Sequence, residues 1–137
     1  MRFTSVTMLA AAALAIAVPV FAHHASQAEF DKSKPTNIVG VMQRVQWTNP
    51  HVRWYLDVKN AKTGEVETWM LQGSGPGVYR ANGISAAGVF PIGAEYKVMI
   101  APARDGSNGG YVMTWTLPDG TKMDFWHDYG DGSTEKP

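Results

Sequence analysis

The segment His51 to Val58, HVRWYLDV, constrains the fold more than any other. In it Val52, Trp54, Leu56 and Val58 alternate with His51, Arg53, Tyr55 and Asp57. A period of two puts alternate side chains on opposite faces of a strand, so four apolar groups share one face and polar or amphipathic groups take the other. A sheet with one dry and one wet face is the mark of antiparallel β structure rather than of buried parallel strands between helices. Similar patterning extends in both directions. In IVGVMQRVQ, Ile38 to Gln46, the β-branched Val39, Val41 and Val45 share one parity and Gln43 breaks it, predicting a first strand with a bend that Gly40 can supply. Thr48-Asn49-Pro50 turns the chain into the second strand.

Asn60 to Gly64 turns it again, and Val66, Thr68, Met70 and Gln72 alternate with Glu65, Glu67, Trp69 and Leu71 in a third strand. A Gly-rich loop, Gly73 to Gly77, follows. Val78, Ile84 and Val89 then recur at weakly helical spacing, interrupted by Gly83 and Gly88, which predicts a short helix or a pair of turns. EYKVMIA, Glu95 to Ala101, reads as a fourth strand, Arg104 to Gly110 as an exposed loop, and YVMTWTL as a fifth strand joined through Pro118-Asp119-Gly120 to TKMDFW. Three strands, a short helical crossover and two further strands is the order of elements in an oligonucleotide/oligosaccharide-binding (OB) barrel. The expected fold is therefore all-β: a small OB-like barrel of five to six strands with one short helix.

Ahead of the barrel stands a leader. Met1 to Ala22 has a basic start at Arg2, an apolar centre from Met8 to Val18, and small residues, Val20 and Ala22, three and one positions before the expected cut. That is the pattern of a secretory signal peptide, and its apolar run is too short to span a bilayer. The predicted organisation is a signal peptide over 1–22, a polar arm over 23–37, the barrel over 38–126 and a tail over 127–137. Cleavage after Ala22 makes His23-His24 the mature amino terminus and leaves no stable membrane anchor. The compartment expected is the periplasm.

Composition removes several functions. Lys plus Arg and Asp plus Glu each total 12, so no overall field draws the chain to nucleic acid. The absence of Cys excludes disulfides, thiolate nucleophiles and Cys-type metal sites. There is no HExxH, GxSxG or Walker loop, and the Gly-rich segments lack the Lys and following helix of a phosphate cradle. The strand carboxylates Asp57, Glu65, Glu67 and Asp124 cannot be paired at catalytic separation by spacing, and Ser74 in GSGPG reads as a turn residue. No catalytic residue is assigned.

Three segments carry a resemblance: AHHASQAEFD (Ala22 to Asp31), VQWTNPHVRWYLDV (Val45 to Val58), and the stretch from RDGSN (Arg104 to Asn108) to TLPDGTKM (Thr116 to Met123). In that order they resemble small exported bacterial proteins of domain of unknown function 6152, over nearly the whole mature chain. The resemblance implies an exported OB-type barrel and supplies no chemistry. One departure is His-His-Ala-Ser, where an aromatic is expected soon after the His pair.

Two groups of residues could carry a function. A terminal His23 offers its α-amine and imidazole to one ion, and His24 or His51 adds a further nitrogen. Tetragonal nitrogen donors favour Cu(II), which also stands highest among the divalent ions in the Irving–Williams order. Glu29 and Asp31 are oxygen donors in the same arm, whereas His127 lies in the tail. The plainer reading is a solvated His pair and a His51 bonded to backbone in the Asn49-Pro50 turn. The second group is aromatic. Five Trp and five Tyr are many for so short a chain, and outward-facing rings on the second and third strands of an OB barrel can stack on a ligand. Tyr55 and Trp69 are the candidates, with Arg53 and His51 on the face of Tyr55. The plainer reading is that most rings fill the core. The sequence thus predicts a periplasmic, non-catalytic binding or accessory protein. Copper at His23, His24 and His51 is one reading. A small molecule, glycan or periplasmic partner protein at Arg53, Tyr55 and Trp69 is the other.

Overall fold

The computed structural model describes residues 28–85 and 89–125. Its elements are β1 (Thr36–Gln46), β2 (Arg53–Lys59), β3 (Val66–Gln72), helix α1 (Pro76–Ala81), β4 (Glu95–Pro102), β5 (Gly109–Thr116) and β6 (Lys122–Asp124). The sheet order is β3-β2-β1-β4-β5-β6, and a parallel pairing of β3 with β5 closes the first five strands into a barrel. All other pairings are antiparallel. This is the OB-like barrel that the order of elements predicted, with β6 as a short extra strand and α1 between β3 and β4.

The alternation in β2 reports its environment faithfully. Val52, Trp54 and Leu56 are fully buried and Val58 nearly so. In β1 the parity is subtler. The register runs Met42↔Leu56 and then Arg44↔Tyr55, so Gln43 is the extra residue of a bulge. Ile38 and Met42 point inward while Val39 is 44% exposed. Past the bulge the faces exchange: Val45, opposite Trp54, packs against the core, and Arg44 and Gln46 turn outward. The bend therefore belongs to Gln43. Gly40 serves a different purpose, because a Cβ there would lie 2.9 Å from Val58 Cγ2 and 3.1 Å from the Asp57 carbonyl oxygen. β1 also starts at Thr36, two residues before the predicted boundary. Gly109 and Gly110, predicted as loop, belong to β5. Here β5 lies between β3 and β4, and a Cβ would fall 2.8 Å from the Met70 carbonyl oxygen at the first glycine and 2.7 Å from that of Ala101 at the second. Only glycine lets three backbones approach so closely.

The predicted short helix is α1, a turn and a half long. Pro76 starts it, and Gly83, at φ +74°, ends it by adopting the left-handed conformation. Its task is to deliver Tyr79, 1% exposed, into the barrel end. There Tyr79 meets Trp54 edge-on at 5.5 Å and Phe125 at 4.8 Å, while Trp54, Phe90, Tyr96 and Trp115 interlock below at 5.1–6.1 Å between centroids. Truncating Trp54 or Trp115 to alanine would cost about 3–5 kcal/mol, the usual penalty for an emptied aromatic site.

A second, smaller cluster lies outside the barrel. Phe30 is 6% exposed and packs with Ala101, Tyr111 and Met113 beside Met99 and Ala103. The Asp31 amide donates to the Pro102 carbonyl and the Arg104 amide to the Glu29 carbonyl, each at 2.8 Å. The polar arm is thus fastened to the end of β4 by its one large apolar side chain.

Candidate functional site

The candidate site is built at the entry to β2, where two segments of backbone meet. The Val52 amide donates to the Ser74 carbonyl and the Gly73 amide to the Val52 carbonyl, both at 3.0 Å. This short ladder holds the loop after β3 against the residues that follow the Asn49-Pro50 turn. His51 is part-buried, with its Nδ1 2.9 Å from the Gly73 carbonyl oxygen. A carbonyl can only accept, so Nδ1 is the donor in this bond, and Nε2 is the ring nitrogen it leaves over. Anchoring one ring nitrogen on a carbonyl is how proteins orient a histidine that binds metal through the other. The plainer reading of His51 expected a backbone partner within its own turn; the partner is instead Gly73, across the loop.

The arm reaches the same neighbourhood. Ser74 Oγ lies 2.9 Å from the Tyr111 hydroxyl, and the Tyr111 ring stands 5.8 Å from that of Phe30. Ser74 and Tyr111 thus link the loop bonded to His51 with the anchored arm. Of the arm's oxygen donors, Asp31 is engaged. It accepts from the Ser33 hydroxyl at 2.6 Å and the Ser33 amide at 3.1 Å, with Arg104 at 3.6 Å and Lys34 at 3.7 Å. The Ser33 hydroxyl bond chiefly, and then its amide and the two cations, lower the Asp31 pKa below the ordinary carboxylate value. Glu29 contributes its carbonyl to Arg104. His23, His24 and His127 lie outside the described residues. Among the described residues no three His, Asp or Glu side chains converge on one point.

The aromatic pair is divided. Tyr55 faces outward, opposite Arg44 on β1 and Met70 on β3. Trp69 pairs with Leu56, on the inner face, and packs against the main core. The expectation that Tyr55 and Trp69 form one ligand platform is corrected: the register of β3 on β2 puts them on opposite faces. Nor is the Tyr55 ring bare, since the Arg44 guanidinium sits 3.9 Å from its centroid and its hydroxyl donates to Gln46 Oε1 at 3.3 Å. Arg53, opposite Gln46 and Gln72, shares this outer face. Arg44 and Gln46 were not singled out in the sequence, although Gln43, by breaking parity, carried the signal that would place them beside Tyr55.

Two of the strand carboxylates are held by neighbouring side chains. Asp57 accepts from Thr68 Oγ1 at 3.0 Å, and Glu67 is clamped by the Asn60 and Asn108 side-chain amides at 2.8 and 3.3 Å. Among known proteins, the model of a family of unknown function (DUF6152) matches residues 11–112. No curated protein and no solved structure matches the chain.

Proposed function

The chain belongs to that family of unknown function, and from its own residues we propose that it is an exported, periplasmic, non-catalytic binding protein that takes Cu(II) at the mature amino terminus. The observation that carries this reading is the bond from His51 Nδ1 to the Gly73 carbonyl, which leaves Nε2 as a fixed imidazole ligand in the loop next to the anchored arm. Phe30 fastens that arm through Tyr111 and Ser74 to the loop. Six residue steps separate Phe30 from His24, a span of at most about 20 Å. With the signal peptide removed after Ala22, the α-amine and imidazole of His23, the imidazole of His24 and Nε2 of His51 supply nitrogen donors of the type Cu(II) prefers. Such a protein would bind or deliver the ion.

The aromatic alternative loses its main support, because Trp69 faces inward and Arg44 already covers a face of Tyr55.

Native mass spectrometry of protein exported by its own leader tests the proposal directly. A chain beginning at His23 should retain one Cu(II). His23→Ala, His51→Ala, or an extra residue before His23 should each weaken binding by at least about tenfold, and electron paramagnetic resonance should report nitrogen ligation. A mature chain that begins elsewhere, or copper affinity indifferent to His51, overturns it.

A further inference from the structure

The outer face of β1 and β2 just past the bulge carries an unneutralised pair of guanidinium groups. Arg44 stands opposite Tyr55 and Arg53 opposite Gln46. The two arginines are thus diagonal neighbours on one face, at the spacing of about 7–8 Å usual for such a pair. Among the described residues neither makes an ion pair, unlike Lys34 and Arg104, which both face Asp31. The nearest carboxylate of the same strand face, Asp57, is engaged with Thr68. Arg44 is exposed, yet its guanidinium is held by the Tyr55 ring, 3.9 Å away. Stacking occupies the flat face of the guanidinium and leaves its N–H edge free. Gln46 accepts the Tyr55 proton through Oε1, so its amide N–H groups remain as donors and the Tyr55 hydroxyl offers none. Around the two arginines the face therefore presents donors and positive charge, with Asp57 the carboxylate that β2 adds to it.

We infer that Arg44, Arg53 and Gln46, organised by Tyr55, form a binding site for a small ligand bearing two anionic oxygen groups. Two forks on adjacent strands match two carboxylates or two phosphates better than one, since each guanidinium can take an oxyanion bidentately. The chain's charge balance makes this a local attraction with no long-range field behind it. The site is independent of copper and is tested on metal-free protein in the presence of a chelator.

Pyrophosphate and succinate are the two-group probes, with inorganic phosphate and acetate as their single-group counterparts. Binding is followed by calorimetry and by amide shifts at Arg44, Gln46, Arg53 and Tyr55. At least one two-group probe should bind about tenfold or more tighter than its counterpart, and which one does so distinguishes a phosphate from a carboxylate ligand. Arg44→Gln and Arg53→Gln should each weaken binding about tenfold or more while the amide spectrum stays that of the folded barrel. Arg53→Lys, which keeps charge but loses the fork, should fall between. Arg80→Gln, at the exposed end of α1, should change nothing. If neither two-group probe saturates below about 10 mM, or if Arg80→Gln weakens binding as much as the face variants do, the proposal is wrong.

Discussion

Phe30→Ala probes how the arm is held. Phe30 is 6% exposed and belongs to a cluster separate from the barrel core. Burying a phenylalanine side chain contributes about 1.5–3 kcal/mol, and each 1.4 kcal/mol is a factor of ten in an equilibrium. The substitution should therefore raise the undocked population of the arm roughly ten- to a hundredfold. Two amides report docking: that of Asp31, donated to Pro102, and that of Arg104, donated to Glu29. Hydrogen exchange at both should accelerate by this factor, while the amide of Leu56, deep in β2, keeps its protection. Unchanged exchange at Asp31 and Arg104 would show that backbone bonds hold the arm without Phe30. Equal acceleration at Leu56 would show that the arm and barrel open as one unit. Either result refutes the picture of a separately fastened arm. If the arm does bring His23 and His24 to His51, the same substitution also weakens Cu(II) binding.

Asp31 predicts a pH dependence for that fastening. Its pKa in the folded chain is lowered, first by the Ser33 hydroxyl. Its contribution is therefore present above the ordinary carboxylate value of about 3.9 and is lost as pH falls through the lower folded value. Exchange at Arg104 should hold steady from neutral pH to about 4, after allowance for intrinsic rates, and rise relative to Leu56 below that, with Asp31→Asn abolishing the transition. Gly110→Ala should destabilise by about 2–3 kcal/mol in thermal melts, since its Cβ would lie 2.7 Å from both the Ala101 carbonyl oxygen and Ile100 Cδ1. Gly77→Ala, in α1 with nothing within 4 Å, should stabilise by about 0.5–1 kcal/mol. Trp69→Ala should lower the melting temperature by an amount matching about 2 kcal/mol, less than for a fully buried Trp; an unchanged melting temperature would return Trp69 to the surface.

What was legible in the sequence was whatever a single strand decides by itself. Val52 to Val58 announced its buried face, and turn residues marked the strand order well enough to predict the barrel. Relations between strands were harder to read. Gly40 and Gly110 are explained by the backbone or side chain of another strand, and nothing local distinguishes them from glycines that only turn. Tyr55 and Trp69 looked equivalent because each alternates correctly within its own strand, and only the pairing Leu56↔Trp69 shows that the tryptophan points inward. The bulge was visible at Gln43, but its effect on Arg44 appears only when β2 is laid beside it. Phe30 was overlooked because one apolar residue makes no periodicity. Its isolation in a polar arm was the available clue.

The strand pairings also set a timetable for folding. Thr36 pairs with Ile100, and the barrel is closed by Met70 against Gly109, so neither seam can form until most of the chain is present. A chain that ends after α1 holds only a three-stranded meander with both edges open and the barrel's aromatic partners still missing. Contacts of such long sequence separation place folding among the slow two-state barrels, in milliseconds to seconds. Until β4 and β5 arrive, the free edges of β1 and β3 are available to any other extended chain. Synthesis and folding are therefore separated in time by the topology itself.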